Sequence, residues 1–280
     1  MFRDDLLKQK RILITGGGTG LGFAMGARFM ELGANLVICG RRENVLQEAA
    51  EKHKAASGRT VETHVCDIRD AAQVDAMLTA IWQNGALDAL VNNAAGNFIA
   101  RSEELSPRAV DAVLGIVLHG SAYVTLGCGK RWLAEKHQAA VLSIVTTYAW
   151  TGSAYVVPSA MAKAGVLALT QSLAVEWGGR GIRLNAIAPG PFPTPGAWER
   201  LVPRPDLAKT FETRNPLGRA GKHEELANLA VFLLAAESGY INGEVVTIDG
   251  GEWLKGAGQF NFLGDTMTEA DWQAMKPKKK

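Results

Sequence analysis

Hydrophobic and polar positions along the chain follow two alternating periods. Short runs rich in β-branched and other apolar residues occupy 11–15, 35–39, 60–66, 87–93, 140–147, 182–189 and 244–249. Between them apolar residues recur at helical spacing, as in FAMGARFMELG from residue 23. Runs this uniformly apolar predict strands buried on both faces, and their alternation with helices predicts a parallel sheet. The expected architecture is a doubly wound α/β domain, a seven-stranded parallel sheet flanked by helices, with its ligand beyond the carboxyl ends of the strands. At 280 residues, with no internal repeat and no Pro/Gly/Ser linker, the chain reads as one domain over 1–280. Its core spans 10–254, within which a long proline-containing loop at 192–217 is expected to form a lid over the substrate, and a C-terminal extension follows at 255–280.

The turn after the first strand, TGGGTGLG, makes this a Rossmann-type reading. Glycines let the backbone turn tightly and approach a pyrophosphate, which then sits at the positive end of the following helix. Gly16, Thr19, Gly20, Leu21 and Gly22 are the candidates there, although the spacing Gly16, Gly20, Gly22 departs from G-x-G-x-x-G. The second strand ends in CGRRENV. An acidic residue at that point would hold a ribose 2′-hydroxyl; Arg41 and Arg42 instead suit a 2′-phosphate, so the expected cofactor is NADP(H). Asp67, ending the third strand, is a candidate acceptor for an adenine amino group.

Composition narrows the class further. Hydrophobic residues make up 47% and charged residues 21%, enough for a sizeable core, and the formal charge of +2 gives no field for nucleic acid. The basic ends KQKR and KPKKK are short and read as solvated. The three cysteines are far apart and form no CxxC, so neither a disulfide framework nor a metal site is expected. No uninterrupted apolar run reaches the roughly 18–20 residues of a membrane span, and the N-terminus lacks an apolar signal core. With no C-terminal Ser-Lys-Leu, a cytoplasmic location is the expectation.

TGGGTGLG, NNAAG (92–96), the lysine of SAMAKAG and APGP (188–191), in that order, resemble the short-chain dehydrogenase/reductase family over nearly the whole length. The resemblance implies cofactor contacts at Asn93, Ala94, Gly96, Lys163, Pro189 and Gly190. It also implies a Tyr-x-x-x-Lys pair, with the lysine on the nicotinamide ribose. Here the tyrosine's slot, four residues before Lys163, holds Ser159. An aliphatic hydroxyl is far too weak an acid for one neighbouring cation to bring into range, since such a charge moves a pKa by about 1–3 units.

A tyrosine stands elsewhere on the same rim. In SIVTTYAWTG, Thr146 takes the place of the family's usual serine and Tyr148 follows just beyond the strand; Tyr155 is the alternative, before Pro158, a favoured first helical residue. The segments NNAAGNFIARSEELSP, TTYAWTGS with VVPSAMAKAG, and PGPFPTPGAWERL are similar to the flavin-free, NADPH-dependent 2,4-dienoyl-CoA reductases within the family. That similarity implies Tyr148 and Asn97 facing each other across an acyl-CoA substrate, Ser159 within the site, protonation to a 3-enoyl-CoA, and a homotetramer. Phe98, Trp150 and, on the long loop, Trp198 are candidate acyl-chain contacts; Arg101, Arg200, Arg204 and Arg214 are available for CoA phosphates, and sequence does not choose among them. His119 stands where the family commonly carries an asparagine that supports a relay water, and it is read as a structural polar group. A 2-enoyl thioester reductase, a carbonyl reductase and a non-catalytic NADP(H)-binding protein remain as alternatives.

Overall fold

The computed structural model describes residues 1–194 and 213–275. Strands β1 (Arg11–Thr15), β2 (Asn35–Gly40), β3 (Glu62–Val65), β4 (Ala89–Asn92), β5 (Ala139–Ile144), β6 (Ile182–Pro189) and β7 (Val245–Ile248) form one sheet. Every neighbouring pair is parallel, in the order β3-β2-β1-β4-β5-β6-β7. The helices are α1 (Gly20–Glu31), α2 (Glu43–Ser57), α3 (Ala71–Gln83), α4 (Pro107–Leu114), α5 (Gly120–Glu135), α6 (Tyr148–Thr151), α7 (Val157–Gly178) and α8 (His223–Leu234). Among the described residues, three short helices follow β7, at Glu252–Ala257, Leu263–Thr266 and Glu269–Ala274.

The apolar runs serve two cores at once because side chains alternate across a strand. Ile12 and Ile14 of β1 and Val91 of β4 pack with Met25 and Phe29 of α1 and Val231 of α8. Leu13 and Leu90, one residue out of phase, pack on the opposite face with Leu78 of α3 and Val124 and Trp132 of α5. Helix starts follow local chemistry: Asp70 Oδ1 accepts from the amides of Ala72 and Gln73 at 2.9 and 3.2 Å, ahead of α3. Ser106 caps α4, accepting from Ala109 at 3.2 Å, with Pro107 in the first turn.

Two expectations shift. The fifth strand ends at Ile144 rather than 147, because the chain turns there into α6. The continuous helical run Pro107–Glu135 is long and apolar enough, by length and composition, to cross a membrane. In this fold it lies against the sheet, burying Val113, Val117, Val124, Cys128 and Trp132. A π-type turn, Gly115–His119, joins α4 to α5 and shifts which residues face inward.

Candidate active site

Strand order reverses between β1 and β4, and the crevice at their carboxyl ends holds a cleft of about 430 Å³. Its floor is the glycine turn. Gly16 and Gly20 have φ of +67° and +56°, a conformation L side chains rarely adopt. The turn is stitched to the strand-4 motif: Thr15 Oγ1 accepts from the amides of Asn93 and Ala94, both at 3.0 Å. Asn93 in return donates its side-chain amide to the carbonyls of Thr15 and Gly16, at 3.0 and 3.2 Å. Thr19 precedes α1 without capping it through its side chain, and the first turn of α1 carries no acid, so its positive end is uncompensated.

Gly16, Thr19, Gly20, Leu21, Arg41, Arg42, Asp67, Asn93, Ala94, Gly96, Asn97, Tyr148, Ser159, Lys163, Pro189 and Gly190 all line this cleft. Gly22 does not. It is buried behind the turn, where an added Cβ would lie 2.6 Å from both the Asn93 amide nitrogen and the Gly16 carbonyl oxygen. Gly22→Ala is therefore expected to cost about 1–3 kcal/mol by overpacking, read as a lowered Tm, and to weaken cofactor binding by displacing Asn93.

At the far end of the cleft, Arg41 and Arg42 are exposed, and neither forms an ion pair among the described residues. Asp67 is already engaged: Arg69 reaches one carboxylate oxygen at 2.5 Å, and its Nε lies 2.9 and 3.0 Å from the two oxygens. The Arg69 contact holds the Asp67 carboxyl below its ordinary range. The carboxylate is thus a salt-bridged wall of the cleft, held in place by Arg69 and keeping lone pairs that can accept a further hydrogen bond. Beside it, Cys39 and Cys66 line the cleft as neutral apolar surface, since burial raises both thiols, Cys66 to about 11.

At the other end α7 presents Ser159 and Lys163 one turn apart, both buried. Lys163 Nζ donates to the carbonyl of Ile144 at the end of β5, and burial lowers its pKa to about 8. The Tyr148 hydroxyl, on the single turn of α6, lies 3.0 Å from that of Ser159. The phenol thus comes from a different element yet reaches the serine that occupies the usual tyrosine slot. Asn97 Oδ1 accepts from the Phe98 amide at 2.9 Å, which fixes the carboxamide and leaves its N–H donors without a partner among the described residues. Thr146 Oγ1 is buried and likewise lacks one. An uncompensated helix N-terminus, a glycine floor that admits close backbone approach, a buried ammonium and an orphaned hydroxyl together fit a dinucleotide.

Other candidates fall elsewhere. Phe98 packs with Val113, Val117 and Val145 behind the cleft. Trp150 is 38% exposed and turned edge-on to Trp253. Tyr155 is 59% exposed, with φ +65°, and does not line the cleft. His119 is exposed beside Tyr123, ring centroids 6.1 Å apart, and does not line the cleft; Ile116, in the same π-type turn, does. Trp198, Arg200 and Arg204 lie outside the described residues, and Arg214 is 3.9 Å from Glu252. Sequence reasoning missed Gly18, Val45 and Ile116 as lining residues, whereas Phe192 and Thr194 open the loop it assigned to the substrate. Gly18 alone carried a signal, its place inside the glycine turn.

A family profile described as enoyl-(acyl carrier protein) reductase matches residues 16–252. A Bacillus subtilis protein named probable 2,4-dienoyl-CoA reductase [(2E)-enoyl-CoA-producing] is 44% identical over 89% of this chain and 98% of its own. A Caenorhabditis elegans protein named probable 2,4-dienoyl-CoA reductase 3 [(3E)-enoyl-CoA-producing] is 43% identical over 90% of this chain and 83% of its own. The crystal structure of a short chain dehydrogenase from Bacillus anthracis superposes with a TM-score of 0.80 at 41% identity, covering 88% of this chain and 98% of that one. With its parallel sheet, dinucleotide cleft and Lys163, the chain belongs to the short-chain dehydrogenase/reductase family, oxidoreductases that use a nicotinamide cofactor.

Proposed function

We propose that the protein is an NADPH-dependent 2,4-dienoyl-CoA reductase acting in the oxidation of unsaturated fatty acids. The observation that carries this reading is the 3.0 Å contact between Tyr148 and Ser159 above a buried Lys163. The names borne by relatives at 43–44% identity support it.

Bound NADPH supplies a hydride, here to the δ-carbon of the dienoyl thioester. Negative charge then moves through the conjugated chain to the thioester oxygen, and the site must meet it with donors already in place. Tyr148 and Asn97 are neutral donors suited to that task. With Ser159 donating to the Tyr148 oxygen, the phenolic hydrogen is left for the substrate. Lys163, one helical turn from Ser159, would hold the nicotinamide ribose and add positive charge to the site. No alkoxide is protonated at the Ser159 slot, so no phenol is needed there.

Protonation of the dienolate at the α-carbon yields a 3-enoyl-CoA; protonation at the γ-carbon yields the 2-enoyl isomer. We favour the first, because a thioester oxygen held by Tyr148 puts the α-carbon next to that hydroxyl, which gives its proton to the carbon and regains one from solvent. The two relatives' names divide on this point. The test is NADPH oxidation with a 2,4-dienoyl-CoA and with the matching 2-enoyl-CoA, followed by NMR location of the product's double bond. Turnover of the diene alone to the 3-enoyl product supports the proposal; a 2-enoyl product overturns the protonation site. A second reading, a 2-enoyl thioester reductase, is favoured by the profile's description, and equal turnover of both substrates would establish it.

NADPH preference rests on Arg41 and Arg42, both exposed at the cleft and in no ion pair among the described residues. A hydrogen bond to a charged group contributes about 1.5–3 kcal/mol, so replacing either arginine with alanine is expected to raise the KM for NADPH roughly tenfold to hundredfold and leave that for NADH nearly unchanged. Equal effects on the two cofactors would remove the 2′-phosphate from this assignment.

A further inference from the structure

We propose that Trp253 is a positioning residue for Tyr148, acting through Trp150; the role assigned to Tyr148 rests on the function proposed above. Tyr148 opens a four-residue helix, Tyr148–Thr151, and one helical turn has little stability of its own. Its backbone is closed by hydrogen bonds of 3.1 to 3.4 Å, Gly152 to Tyr148 and Thr151 to Thr147, and its side chain is tied to the body of the protein through Ser159.

The second tie is aromatic. Trp150 meets Trp253 edge to face, ring centroids 5.6 Å apart and planes at 86°. Aromatic pairs prefer this geometry because the positive ring edge meets the negative face. Trp253 in turn is firmly placed. Its backbone amide donates to Asp249 Oδ2 at 2.9 Å, while Asp249 Oδ1 takes the Gly251 amide at 2.8 Å. The Asp249 carbonyl accepts from buried Asn215 at 2.8 Å, and Gly250 and Gly251, with φ of +64° and +87°, make the bend possible. Asp249 directly follows β7, which pairs with β6. Sheet, Asp249 turn, Trp253, Trp150 and Tyr148 thus form one line of support, and the first residues after the last strand set where the phenol stands.

The experiment compares Trp253→Ala and Trp253→Phe, each alone and in the Tyr148→Phe background, by kcat, KM for a 2,4-dienoyl-CoA and Kd for NADPH. Trp253 is 36% exposed and off the cleft, so the variants are expected to fold; Trp150→Ala removes the other ring and serves if one does not. The alanine variant is expected to lose about five- to tenfold in kcat at unchanged NADPH affinity, phenylalanine is expected to restore most of it, and neither change matters once Tyr148 is phenylalanine. An undiminished kcat, or the same loss in the Tyr148→Phe background, overturns the proposal. A readout free of turnover separates it from the functional reading: the ¹⁹F signal of 3-fluorotyrosine at position 148 should shift or broaden in Trp253→Ala and return in Trp253→Phe. If that signal responds while wild-type protein leaves dienoyl-CoA untouched, the support line stands and the substrate assignment falls. An unmoved signal sinks the support line whatever the substrate.

Discussion

Tyr148→Phe is expected to lower kcat on a 2,4-dienoyl-CoA about 100- to 1000-fold, the usual cost of deleting one oxyanion donor. NADPH affinity should be unchanged, because the ring stays and only the hydroxyl leaves. Ser159→Ala removes the 3.0 Å partner but not the donor itself, so its loss should be smaller. The double variant should be no slower than Tyr148→Phe alone, since a serine that works by orienting the phenol has nothing left to orient. The comparison discriminates among chemistries. If Ser159 were itself the acid, its replacement would cost as much as that of Tyr148, and the pair would be additive. If Tyr148 served an ordinary carbonyl reduction, its loss would be felt with ketones and not with dienoyl thioesters. Full activity in Tyr148→Phe would leave Asn97 as the principal donor and void the role assigned to the phenol.

How far such a site can be read from sequence depends on how local its determinants are. The apolar runs located all seven strands, because burial on both faces removes the polar alternation that would blur them; Ile12, Leu13 and Ile14 each face a core. The glycine turn was legible for a similar reason, its backbone conformations being imposed within a few residues. Ser159 and Lys163 share a helix face by their four-residue spacing, and Tyr148 was found because one strand end leads directly to it. What remained hidden is three-dimensional. Phe192 and Thr194 open the loop expected over the substrate, but their neighbours there, Gly221 and Gly20, are distant in sequence. The exposure of His119, with Ile116 of the same π-type turn lining the cleft, likewise has no signature in the sequence. Asp67 lines the cleft as its place at a strand end suggests, but its pairing with Arg69, two residues on, has no signature in the sequence.

Lys163→Met should separate function from stability, moving them in opposite directions. Activity is expected to fall at least about 100-fold, because the variant loses the cation under the Tyr148–Ser159 pair and the group assigned to the nicotinamide ribose. Stability of the cofactor-free protein at neutral pH should rise, because the wild type buries an ammonium that has no carboxylate partner among the described residues. The pH dependence identifies the cause. Burial lowers the folded-state pKa to about 8 from an ordinary 10.5. Below pH 8 both folded and unfolded chains carry the proton, and the full cost of burying the charge is present. Between pH 8 and 10.5 the unfolded chain keeps a proton that the folded chain has released, so wild-type stability rises with pH relative to the variant. Above 10.5 the difference is flat. The gap in unfolding free energy between variant and wild type should therefore narrow by roughly 3 kcal/mol across that window. A constant gap would mean that Lys163 does not titrate there, and a variant less stable than wild type at pH 7 would mean that the bond to Ile144 outweighs the desolvation of the charge. The opposed signs are what a functional residue predicts: a fold tolerates a buried, unpaired ammonium where the bound state, not the empty one, needs the charge.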